Sequence, residues 1–156
     1  MSTTEVRRIA LLSRHALDGE PWYGMALCKL LAGVTAEKAA AHPIPGAHSI
    51  WQEVLHAITW RKATIELLNG KTEPPVTEEQ NWPQPKDTSS AAWQKTLDEL
   101  TSTQAPLEAA LMALTDERLS EKAPEKPFNF YVLVHGVIQH DSYHAGQIAM
   151  LKNAAS

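Results

Sequence analysis

"SIWQEVLHAITWRKATIELLNG", residues 49–70, is the stretch on which the fold turns. Ser49 and Gln52 stand in capping-box spacing, where a hydroxyl and an amide satisfy backbone N–H groups that a helix start leaves free. Asn69-Gly70 supplies the stop, because the residue closing a helix takes a left-handed conformation that glycine adopts without strain. Two stripes run between these ends. Ile50, Val54, Ile58, Ile65 and Leu68 form one; Glu53, His56, Trp60, Ala63 and Leu67, spaced 3, 4, 3 and 4, form the other. A helix with two such faces needs neighbours on both sides, as in a bundle.

The segments on either side are also helical. In "STTEVRRIALLSRHALDG" (2–19), Ser2 and Glu5 have capping-box spacing, Val6, Ile9, Ser13, Ala16 and Leu17 make a stripe, and Gly19 is the stop. Short helical pieces are expected in "GMALCKLLAGV" (24–34) and "TAEKAAAH" (35–42), followed by the breaker "PIPG". "KTEPPVTEEQNWPQPKD" (71–87) reads as a surface loop of 17 residues. Loops of that length are uncommon unless they are functional or wrap the surface. "SSAAWQKTLDELTSTQAPLEAALMAL" (89–114) predicts a third long helix that Pro106 kinks or interrupts. After "TDERLSEKAPEKPFN" a last helix runs from about Phe130 to Asn153. No stretch alternates like a strand, so the expected fold is all-α, most simply a four-helix bundle in one domain over 1–156.

Composition narrows the function. A net charge of −4 offers no basic footprint for a phosphate backbone, which argues against nucleic acid. No apolar run approaches the roughly 20 residues that span a bilayer, and arginines interrupt the apolar residues of the N-terminus, unlike a signal peptide. The single cysteine, Cys28, has no partner for an intramolecular disulfide, which suits the cytoplasm. Seven histidines and five tryptophans are the unusual feature.

On the last helix, Leu133, Val137, His140, His144, Ile148 and Leu151 fall in one stripe, with Gln147 at its flank and His135 well away. Histidines one turn apart can both reach one ion. A lone histidine on an apolar face is usually a satisfied core residue, but two buried imidazoles need partners for every polar atom, and a metal meets that demand. His56, on a stripe of the opening helix, is the natural third ligand. Three imidazoles with a position left for water are typical of catalytic zinc, though nickel, iron and copper also suit the set.

Neighbouring residues carry weaker signals. Glu53 reads as a solvated glutamate near a helix start, with an orienting base or fourth ligand as the alternative. Asp141 reads as an ion-pair or surface residue, Trp60 as a pocket wall or core residue, and His48 as lining the site or facing solvent. Gly136 and Gly146 lower helix propensity, which suggests close helix contact. His15 and His42 carry no signal. "HDSYH" has the histidine spacing of a zinc peptidase but lacks its general-base glutamate, and "EVLH" has no counterpart to complete a di-iron site, since Val137 stands where a glutamate is needed.

"GEPWYG", "PIPGAHSIWQEVLHAITWR", "EEQNWPQP" and "HGVIQHDSYHAGQIAML", in that order over nearly the whole chain, resemble the DinB/YfiT-like superfamily. The resemblance implies a four-helix bundle with one divalent ion, usually zinc or nickel, on three histidines. Carried over by position, these are His56, His140 and His144. Many members have lost a ligand, so keeping all three favours a working site. Characterised relatives include transferases and an isomerase that use low-molecular-weight thiols such as bacillithiol or mycothiol; others are labelled hydrolases by analogy. Homodimers are common, and the tryptophans offer apolar surface for an interface.

The expectation is therefore a metal-dependent enzyme acting on a small molecule, as thiol-dependent transferase or hydrolase. His56, His140 and His144 hold the ion, and Glu53 and Gln147 are the next candidates for orienting the reacting group. The alternative is a metal-binding or stress-response protein whose ion is structural.

Overall fold

The computed structural model describes residues 4–72 and 76–155. Side-chain caps decide where most helices begin. Thr4, Thr35, Ser49, Thr77, Ser89 and Asn129 each accept the backbone N–H of the residue three further on, opening α1 (Glu5–Asp18), α3 (Ala36–Ala40), α4 (Ile50–Leu68), α5 (Glu78–Asn81), α6 (Ser90–Ser102) and α8 (Phe130–Ala154). The series is completed by α2 (Leu27–Leu31), α7 (Gln104–Met112) and a 3-10 turn at Glu117–Ser120. Among the described residues there is no strand, only a lone bridge between Lys122 and Asn129. The capping box of Ser49 and Gln52 is complete in both directions. That of Ser2 lies outside the described residues. Thr4 caps α1 instead, helped by Asp116, whose carboxylate accepts the N–H groups of Glu5 and Val6 at 3.0 Å each.

The fold is all-α, as expected. Four long helical segments, α1, α4, the α6–α7 pair and α8, pack against one another, with α2 and α3 set against one end. Two apolar clusters fill the interior. One joins Leu17, Val54, Ile58, Leu100, Ala145 and Ile148 to residues of α2 and α3. The other gathers Val6, Ile9, Leu68, Leu107, Leu111, Phe130, Val134 and Val137. Cluster membership fixes direction: α1 and α8 run one way, α4 and α6–α7 the other.

Pro106 interrupts the third helix at Thr103, between α6 and α7. The break falls three residues before the proline, because its ring crowds the preceding turn and it has no N–H to return there. Three expectations are corrected. A Cβ at Gly136 or Gly146 would meet nothing within 4 Å, so neither marks a close helix contact. Trp51 and Trp93 are core residues and only Trp22 is fully exposed, so the tryptophans do not make one common surface. The 71–87 segment is not all loop, since its own capping box builds α5. No helix among the described residues is long and apolar enough to cross a membrane.

Candidate metal centre

Antiparallel packing of α4 on α8 brings His56 opposite His140 and His144 between the two apolar clusters. His56 and His144 are buried, at 6% and 3% exposure, and His140 is half-buried. The Nε2 atom of His140 lies 3.0 Å from Nε2 of His56 and 3.0 Å from Nε2 of His144. The three rings are a set that can hold a metal ion.

The outer nitrogens of two of these rings have fixed partners. His56 Nδ1 lies 2.6 Å from the carbonyl of Asn81, which only accepts, so Nδ1 carries the proton and Nε2 presents a lone pair. His144 Nδ1 donates to Glu53 Oε2 at 2.5 Å, which turns Nε2 toward the other two rings. His140 Nδ1 has no hydrogen-bond partner among the described residues. Burial, then the neighbouring His144 and His56 rings, push His140 down to about 3, and burial is the main cause lowering His56. The Nε2 atoms of the three rings therefore face one another. A single proton on His140 Nε2 serves only one of its two neighbours, whereas a cation serves all three. Ligands about 2.0–2.1 Å from one tetrahedral centre stand about 3.3 Å apart, close to the 3.0 Å between His140 Nε2 and each of the other two. The donor set fits a divalent ion.

Residues outside the two helices hold the rings in place. Trp82, at the end of α5, lies flat between His56 and His48, with ring centroids 3.9 and 3.6 Å away. Asn81 is fixed through its side chain, which accepts the Trp60 indole N–H at 2.9 Å. The long 71–87 segment thus contacts His56 through Asn81 and Trp82. His48 lines this stack and Trp60 forms a half-buried wall.

Glu53 is corrected from a solvated residue to a buried one, 3% exposed, that orients His144. Asp141 is no surface residue: it is fully buried and paired with Arg61. Gln147 donates to the Tyr143 hydroxyl at 3.0 Å, beside His144 rather than among the three rings. His135 stands away from the trio, against Tyr131. Asn81, Trp82 and Arg61 were not anticipated. Arg61 did leave a sequence signal: it occupies the gap in the stripe Ile50, Val54, Ile58, Ile65, Leu68, where a charge is out of place.

The family model of the DinB superfamily matches residues 24–148, a span that includes all three histidines, and the chain belongs to that superfamily. No curated protein and no solved structure matches the chain.

Proposed function

We propose that the protein is a metal-dependent enzyme that holds one divalent ion, zinc or nickel, on His56, His140 and His144. It acts on a small molecule, by transfer of a low-molecular-weight thiol or by hydrolysis. The observation that carries this reading is the convergence of three imidazole Nε2 atoms with no carboxylate oxygen among them. Three protein ligands are one short of a closed structural site. A divalent ion bound there would supply Lewis-acid activation of a thiol or of water.

The chain's own residues then do the rest. Asn81 and Glu53 hold the inner nitrogens of His56 and His144 on target, and Trp82 shields one face of His56. Cys28 is not a competing nucleophile. It lies in a different cleft with Leu31, Trp93 and Leu97, and burial pushes its thiol up. Any thiol that reacts at the trio therefore comes from a small molecule.

The first test is metal content by mass spectrometry on untagged protein purified without added metal, beside His140→Ala. Near-stoichiometric zinc or nickel, lost in the variant, supports the centre; protein that neither carries nor takes up either metal refutes it. Cobalt substitution then separates the two readings of the ion. Azide or a thiol should perturb the cobalt spectrum of an enzyme, and should leave a closed structural site unchanged.

A further inference from the structure

A second buried polar group crosses the bundle beside the histidines. Arg61 of α4 is fully buried between the two apolar clusters, and its guanidinium reaches three residues on two other segments. One terminal nitrogen pairs with Asp141 of α8; the other donates to Gln104 Oε1 at 2.5 Å; Nε donates to Thr103 Oγ1 at 2.7 Å. Thr103 and Gln104 form the α6–α7 break that Pro106 imposes, and Asp141 is also fully buried. Arg61 follows His56 by five residues on α4, and Asp141 follows His140 directly on α8.

Stability alone is a poor reason for such a pair. Desolvating two charges offsets most of their attraction, and an apolar pair of similar volume is often as stable or more so. What an apolar contact lacks is a unique register. Two greasy helix faces tolerate small slides and rotations, whereas a planar guanidinium whose nitrogens meet Asp141, Gln104 and Thr103 at once has one geometry. A metal centre needs that uniqueness, because its bond lengths are held within about 0.2 Å.

We propose that Arg61 and Asp141 are positioning residues for the histidine trio, locking α4 against α8 in the one register that brings His56 Nε2 to His140 and His144. The proposal rests on the metal reading above. The bonds to Thr103 and Gln104 give the third long segment, which supplies no histidine, a share in setting the centre.

The test replaces the pair with apolar residues, Arg61→Met with Asp141→Leu, and compares cobalt titrations of this protein and the wild type. Circular dichroism and melting temperature report folding separately. The expected result is a folded protein of similar or higher melting temperature that binds cobalt about 10- to 100-fold more weakly, with shifted visible bands. Unchanged affinity and bands in the folded variant would overturn the proposal. Should the double variant not fold, Arg61→Lys keeps the charge but loses the fork, and the same weakening is expected of it. If the wild type binds no cobalt, the metal reading fails by itself. The positioning claim is then decided by a crystal structure of the double variant, where a retained 3.0 Å spacing of the Nε2 atoms overturns it and a widened one supports it.

Discussion

The histidine and arginine clusters lie side by side in one bundle interior and solve the problem of buried polarity in opposite ways. Around Arg61 the donors meet acceptors within the protein: Asp141 supplies the opposite charge, and Thr103 and Gln104 accept from the other nitrogens, while Asp141 Oδ1 is left without a partner among the described residues. Around His140 the acceptors face one another. Asn81 and Glu53 engage the outer nitrogens of His56 and His144, so among the described residues the inner ones have only each other. Burial is common to both clusters, so burial does not mark a ligand site. The direction of the lone pairs does.

That contrast is most open to attack in metal-free protein. Arg61→Ala leaves Asp141 buried without its cation, and breaking a buried pair in this way costs about 3–5 kcal/mol. His140→Ala removes a ring that has, among the described residues, no partner on Nδ1 and only other imidazoles before Nε2. Its expected cost is about 1 kcal/mol, a fall of about 2–4 °C for a chain of this size. Thermal melts in the presence of a chelator measure both, and equal losses would erase the distinction.

Adding metal should separate the variants by how much each gains. Zinc at about 1,000 times its Kd stabilises a folded binder by about 4 kcal/mol. Wild type and Arg61→Ala both retain the trio, and the wild type should gain in full. His140→Ala should gain almost nothing. An equal rise in wild type and His140→Ala would mean that zinc binds elsewhere.

Glu53→Gln probes the link between carboxylate and ring with little change of shape. An amide still accepts from His144 Nδ1 but no longer strengthens the ring as a donor, so metal affinity should fall about 10- to 100-fold. Competition against a chromophoric chelator gives the ratio. An unchanged affinity would reduce Glu53 to a packing residue.

What was legible in the sequence follows from periodicity within single helices. The Ser49 cap, the α4 stripes and the pair His140 and His144 are each a matter of residues three or four apart. Partner choice between helices is a different kind of information. Glu53 meets His144 across 91 positions of sequence and Arg61 meets Asp141 across 80, and each meeting depends on the rotation and register of both helices. Asn81 is reached only through α5, inside a segment whose prolines suggest a plain loop. The family resemblance did place His56 with His140 and His144. It carried no information about what holds their rings.

The smallest expected effect is on acid stability, and its sign is determined. His140 is pushed down to about 3 in the folded chain, while an unfolded histidine titrates near 6.5. Between those values the unfolded chain binds the extra proton, so stability is present above about 6.5 and is lost as pH falls towards 3. His56, also lowered, adds in the same direction. Asp141 opposes them: burial raises its carboxyl, and that contribution weakens the fold as pH rises instead. Solvent reaches part of the His140 ring, which keeps its contribution modest. The difference between wild type and His140→Ala isolates it, because Asp141 and the other carboxylates are common to both. In metal-free protein, denaturant melts from pH 7 to pH 4 should show the wild type losing more stability than the variant. Parallel curves would mean that His140 takes up its proton in the folded state as readily as in the unfolded one. The inner nitrogens would then not be a set of converging lone pairs, and the contrast with the Arg61 cluster would fall.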